Sequence, residues 1–174
     1  MKTQKAYKKK ICLFFNHERG LKILQNLKKN KKYEILKVYL SKKNLKFGIK
    51  SSIKKLKYSY SIIKNVNSNK IIKFNLKNKI DLNIICGFPY IFNDKVLNST
   101  KYGTINLHGG RLPKYKGGSP LNWQIINGEK IIGFSIIQAD NSIDGGAILA
   151  QSSFKLSENL DIKHVHKIVN KKFP

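Results

Sequence analysis

Residues 103–118, GTINLHGGRLPKYKGG, constrain this chain more tightly than any other stretch. A short β-forming run breaks there, within a few residues, into two glycine pairs and a Leu-Pro step. An apolar run of that length bounded by turn residues reads as a buried strand. Alternation along it puts Asn106 and His108 on one side as the strand ends. Gly109-Gly110, Leu112-Pro113 and Gly117-Gly118 then describe a tight loop. Ser119 suits a helix N-cap and Pro120 the first helical position, Leu121, Trp123, Ile125 and Ile126 supply apolar surface, and Asn127-Gly128 is a stop. Residues 131–137 read as a second strand, followed by a polar loop with Asp140 and Asp144, then Gly145-Gly146 and a third apolar run over 147–150. Polar side chains thus gather beyond neighbouring strand ends, where open α/β sheets place their ligands.

The rest of the chain reads as scaffold. Residues 11–15 are a buried strand, 16–20 a polar loop, and Leu21, Ile23, Leu24 and Leu27 follow at helical spacing. Residues 33–40 form a second strand, 41–70 a helix and then a loop, 71–74 a brief strand, and 80–86 a buried strand ending in the apolar loop 87–92. Residues 151–156 complete an outer strand, and Ser157 caps a last helix carrying Leu160, Ile162, Val165 and Ile168. His164 and His166 stand two apart, diverge around that helix, and belong to solvent or packing. The fold expected is α/β: one Rossmann-like domain over 1–174, a mostly parallel twisted sheet flanked by helices. No G-x-G-x-x-G follows the first strand, so a dinucleotide is not indicated.

Charge raises a different class of function. A net charge of +26, from 35 Lys+Arg against 9 Asp+Glu, would ordinarily suggest nucleic acid. Yet only Arg19 and Arg111 are arginines, and the lysines are spread among asparagine and isoleucine as an A+T-rich coding sequence would leave them. Nucleic acid is therefore not the expected partner, because phosphate recognition favours arginine's planar fork. Cys12 and Cys86 fall in buried strands and act as small apolar residues, which fits a reducing compartment. The basic N-terminus precedes only five apolar residues and no run approaches a membrane span, so the cytoplasm is expected, without membrane or metal.

Asn106-x-His108, then Leu112-Pro113-Lys114-Tyr115-x-Gly117, then Asp144-x-Gly146 resemble the signature of the folate-dependent formyltransferases, over roughly residues 80–151. Pro120-Leu121-Asn122-Trp123 and Asn127-Gly128-Glu129 resemble the branch with methionyl-tRNA formyltransferase and the amino-sugar N-formyltransferases. Gly109-Gly110-Arg111 departs from the family's usual residues after the histidine. The resemblance implies that Asn106, His108 and Asp144 are catalytic. It also implies that Gly87, Phe88, Pro89, Tyr90, Ile91, Asp140, Asn141 and Ile143 hold the pterin of 10-formyltetrahydrofolate, the formyl donor.

Asn16, His17, Arg19, Arg111, Lys114 and Tyr115 are the expected acceptor contacts, Arg111 offering a planar donor to a diphosphate. The acceptor expected is the amine of a nucleotide-linked amino sugar. Methionyl-tRNA is an alternative that would call for a further C-terminal domain for which this chain, ending early for the domains it resembles, has no room. A lysine-rich RNA-binding protein on the same scaffold is a second alternative, and a homodimer is left open.

Overall fold

The computed structural model describes residues 7–157 and 161–173. Strand β1 (Lys9–Phe15) explains the architecture. Ile11, Leu13 and Phe15 point to one face and Cys12 and Phe14 to the other, each at most 1% exposed. A strand with no solvated face belongs at the centre of a doubly covered sheet. β1 lies between β2 (Tyr33–Ser41) and β4 (Leu82–Cys86), parallel to both.

The sheet has seven strands in the order β3-β2-β1-β4-β5-β6-β7. β3 (Tyr60–Ile63) and β5 (Thr104–His108) extend the parallel part. β6 (Ile131–Gln138) and β7 (Ile148–Lys155) add antiparallel strands beyond β5. On the face of Ile11, Leu13 and Phe15 pack α1 (Glu18–Lys29), α2 (Ile49–Lys55), α5 (Pro120–Ile126) and α6 (Ile162–Lys172). On the opposite face lie α3 (Asn69–Asn78) and α4 (Asp94–Leu97). Strand order reverses direction between β1 and β4, and at such a switch point the loops at the strand carboxyl ends part to leave a crevice.

Glycine matters twice in this frame. A Cβ at Gly20 would collide with Phe15, so its absence lets the first turn of α1 settle onto β1. A Cβ at Gly146 would collide with the Gln138 carbonyl, so glycine there admits β7 beside the end of β6.

The mostly parallel α/β fold is as expected, and several local expectations are corrected. Residues 71–74 lie inside α3, because Ile71 and Asn75 turn inward at helical spacing. The third strand is Tyr60–Ile63, within the stretch read as helix and loop. Helix α1 starts at Glu18, which shortens the first loop to Asn16 and His17. The apolar run at 147–150 and the outer strand at 151–156 are one continuous strand, β7. Ser119 occupies the N-cap of α5 in the left-handed region (φ 53) with no hydroxyl bond to the helix. Asp161, not Ser157, caps α6 through its carboxylate on the His164 amide, and Leu160 lies outside the described residues.

Candidate active site

At the carboxyl ends of β1, β4 and β5 the molecule opens into a cleft of about 1170 Å³. Asn106 and His108 leave β5 on the same face and reach it together, and Asp144 meets both from the loop after β6. Asn106 Nδ2 donates to Asp144 Oδ1 at 3.0 Å. His108 Nδ1 stands 3.2 Å from Asp144 Oδ2, which also accepts the Gly117 amide at 2.9 Å. His108 Nε2 lies 2.6 Å from the Tyr115 carbonyl oxygen. Carbonyl and carboxylate oxygens only accept, so the ring is the donor in whichever of these contacts is a hydrogen bond. Asp144 sits at φ 48, in the left-handed region, where aspartate is tolerated better than bulkier residues. His108 is 6% exposed, so charge here acts through little water.

A buried scaffold fixes this group. Gln124, fully buried on α5, accepts the Gly133 amide at 2.7 Å and donates to the Gly133 carbonyl at 3.0 Å and the Gly109 carbonyl at 3.3 Å. Ser135 on β6 donates to the Gly110 carbonyl at 2.8 Å and accepts the Leu112 amide at 3.2 Å. Gln151 on β7 donates to Ser135 Oγ at 3.0 Å and the Leu112 carbonyl at 2.8 Å. The loop after His108 is thereby tied to β6 and β7, and Leu112-Pro113 within it is a cis peptide.

The two ends of the cleft differ in chemistry. One is aromatic and apolar: Phe88, Tyr90, Phe92, Ile137, Ala139 and Ile143 border it. Phe88 packs at 5.6 Å from Tyr90 and 6.1 Å from Phe92, while Phe14 supports it from beneath at 5.7 Å. Pro89, Ile91 and Asp140 also border the cleft, Asp140 turning onto Ser142, as does Gly87, which faces the His17 ring. A flat heterocycle fits between such walls. The other end is basic: His17, Arg19, Lys46 and His166 border it, and Phe47 stands on its rim with its ring fully exposed. Burial, followed by Lys46 and Arg19, pushes the His17 pKa down, and burial with Arg19 and His17 does the same to His166.

Five expected contacts do not border the cleft. Asn16 is fully buried and its amide ties the end of β1 to the end of β2 and the loop after it, accepting the Ser41 amide at 2.8 Å and donating to the Lys43 carbonyl. Arg111 lies with its stem across Gly133, because Ser135 and Gln151 turn that loop toward β6 and β7. Lys114 pairs with Glu129 at 2.5 Å, and the Tyr115 hydroxyl donates to the same carboxylate at 2.5 Å. Tyr115 serves the site only through its carbonyl on His108. Asn141 reaches Asp94 at 3.3 Å on the surface. Conversely, sequence reasoning passed over Lys46, Phe47, Gln124, Ser135 and Asn170, and His166, read as solvent or packing, is exposed at the border of the cleft. His166 and Asn170 are four apart, one polar stripe beside the buried Val165 and Val169, a signal that was present in the sequence.

Comparison with known proteins identifies the family. Residues 9–172 match the family described as Formyl transferase. The chain is 41% identical over 138 residues to the bifunctional polymyxin resistance protein ArnA of Wigglesworthia glossinidia brevipalpis, covering 71% of this chain and 21% of that protein. It is 39% identical over 95 residues to the methionyl-tRNA formyltransferase of Clostridium tetani, 55% of this chain and 31% of that protein. The chain thus spans a fifth to a third of these curated relatives. Among solved structures, glycinamide ribonucleotide transformylase 1 from Geobacillus kaustophilus superposes with TM-score 0.80 at 15% identity, over 97% of this chain and 96% of that one. A sugar N-formyltransferase from a Shewanella species gives 0.72 at 24%, over 94% and 64%. At those identities the structures share the fold.

Proposed function

The chain belongs to the formyl transferase family, and we propose that it moves a formyl group from 10-formyltetrahydrofolate to the primary amine of a nucleotide-linked amino sugar. One observation carries this reading: Asn106, His108 and Asp144 meet in one cleft that both an aromatic cluster and the cations Arg19 and Lys46 border. The slot between Phe88, Tyr90 and Ile143 suits a pterin. When bound there, the folate supplies an activated formyl carbon. Every other part of the chemistry falls to side chains of this protein.

Asn106 Nδ2 gives one hydrogen to Asp144 and keeps a second for the formyl oxygen, where negative charge develops as the amine attacks. The acceptor nitrogen bonds the formyl carbon, and its proton passes to the Asp144 carboxylate. His108, held at Nδ1 by Asp144, would exchange its Nε2 contact with the Tyr115 carbonyl for the nitrogen that departs and give its proton there as the bond from that nitrogen to the formyl carbon breaks. At the basic end, His17, Arg19 and Lys46 suit a compact anion such as a diphosphate, and Phe47 gives a carrier base a face to stack on.

A second reading, methionyl-tRNA as acceptor, is supported by the identity to the Clostridium tetani enzyme. The test is incubation with 10-formyltetrahydrofolate and, in parallel, a panel of nucleotide-linked amino sugars and charged initiator tRNA. Turnover of at least one amino-sugar nucleotide, faster than of methionyl-tRNA and lost in His108→Asn with folate binding retained, is expected. Faster formylation of methionyl-tRNA than of every sugar would transfer the assignment to the second reading. RNA binding indifferent to His108→Asn, with no turnover, would sink both.

A further inference from the structure

Arg19 is a cation with a place to act and no counterion among the described residues. The ion pairs found there are Lys9–Asp81, His108–Asp144, Lys114–Glu129 and His164–Asp161, and none involves it. The side chain is partly buried at the cleft, and burial depresses its pKa. A desolvated charge ordinarily has a partner of opposite sign.

What holds Arg19 is instead neutral and comes from the other end of the chain. Its Nε donates to Asn170 Oδ1 at 3.1 Å, and its guanidinium carbon lies 5.2 Å above the ring of Phe173. Phe173 is fixed in turn against Phe134 of β6, at 4.5 Å between ring centres. Anchoring through Nε and one face leaves the two terminal nitrogens committed to neither. They face Gly109, the neighbour of His108: a Cβ built there would stand 3.0 Å from Nη1 and 3.7 Å from Nη2. His166, one turn before Asn170 on α6, borders the same end of the cleft.

We propose that Asn170 is a positioning residue which, with Phe173, aims the Arg19 guanidinium into the cleft as the seat of the acceptor's phosphate, so that α6 sets acceptor affinity. The proposal rests on the reading that the acceptor carries phosphate. A neutral amide is the fitting strut: it orients the fork through Nε without neutralising it, whereas a carboxylate in its place would fill the seat itself. Bidentate binding by the two terminal nitrogens matches two oxygens of one phosphate.

The experiment uses the full chain and two readouts. Calorimetry with inorganic pyrophosphate should show binding in the parent protein, at least tenfold weaker binding in Asn170→Asp, and partial loss in Asn170→Leu. Steady-state kinetics on the accepted amino-sugar nucleotide should show Asn170→Asp raising the acceptor KM at least tenfold, with kcat and folate affinity within twofold of the parent. Arg19→Leu should match Asn170→Asp, and Asn170→Ser, which retains an acceptor oxygen, should recover part of the affinity. Absence of pyrophosphate binding in the parent, equal affinity in the parent and Asn170→Asp, or a fall in kcat at constant KM overturns the proposal. The expected pyrophosphate series in a protein that formylates no sugar nucleotide would leave the seat standing and refute the acceptor assignment instead.

Discussion

Asp144 Oδ2 lies 3.2 Å from His108 Nδ1, and the other oxygen of the same carboxylate takes the Asn106 amide at 3.0 Å. One carboxylate therefore fixes both side chains that leave the end of β5, and the Gly117 amide holds the carboxylate itself at 2.9 Å. Removing its charge should disturb the proton path without emptying the cleft. Asp144→Asn is expected to lower kcat by about 10²–10⁴-fold, the usual range for loss of acid–base assistance, with folate affinity nearly unchanged. A variant retaining more than a tenth of parental kcat would remove Asp144 from the mechanism.

The amide of Asn106 has a separable role. Losing one hydrogen-bond donor to a developing oxyanion typically costs about 10²–10³-fold in kcat. Asn106→Ala is expected in that range, with acceptor KM moved by less than threefold. A change confined to KM would mark Asn106 as a binding group only.

Gln124 predicts a stability effect rather than a chemical one. It is fully buried and serves the Gly133 amide and the Gly109 and Gly133 carbonyls. Gln124→Leu leaves those groups without partners, at about 1–3 kcal/mol for each buried group left unsatisfied. For a chain of this size about 1 kcal/mol shifts Tm by roughly 2–4 °C, so thermal unfolding should drop by several degrees. An unchanged Tm would show that the loop after His108 has another anchor.

Cys12 and Cys86 are buried, and burial first of all raises both thiols to about 12. At pH 8 only about one thiol in 10⁴ is then thiolate, the reactive form. A disulfide-exchange reagent should leave the native protein unmodified over hours and titrate both cysteines in denaturant. Fast reaction of one thiol in the native state would place Cys86, at the cleft floor, within reach of solvent.

How much of this was legible in the sequence depended on whether the signal was local. Glycine pairs, alternation and helical spacing are local, so β1, β5, β6 and α5 could be read in place, as could the shared face of Asn106 and His108. The stretch 41–74 failed because its few apolar residues sit among lysines. Tyr60–Ile63 becomes a strand only by pairing with β2, and Ile71 with Asn75 becomes a helix face only over the second core. The acceptor side failed for a different reason. Whether an arginine faces a cleft is decided by residues distant in the chain: Ser135 and Gln151 turn the Arg111 loop away, while Asn170 holds Arg19 in. Spacing along one element carries no information of that kind.

The basic end of the cleft should bind anions with a definite pH dependence. His17 and His166 both have pKa values lowered from 6.5, each first by burial and then by neighbouring cations: Lys46 and Arg19 for His17, Arg19 and His17 for His166. Glu18, Asp140 and Asp144 are the acidic groups bordering the same cleft. In the free protein the two histidines are thus neutral at pH 7.5. The unfolded chain takes up their protons first as pH falls below about 6.5, so the free protein loses stability there. An anion seated beside them has the opposite effect. It favours imidazolium, so binding takes up protons, and by linkage affinity rises as pH falls from 7.5 toward 6. Sulfate, which stays a dianion across that interval, should therefore bind several-fold more tightly at pH 6 than at pH 7.5, with heats that depend on the ionisation enthalpy of the buffer. Replacing both histidines by glutamine should flatten the profile at the level set by Arg19 and Lys46. Affinity that stays constant from pH 7.5 to 6 in the parent protein, or a slope that survives in the double variant, would show that neither histidine faces the bound anion.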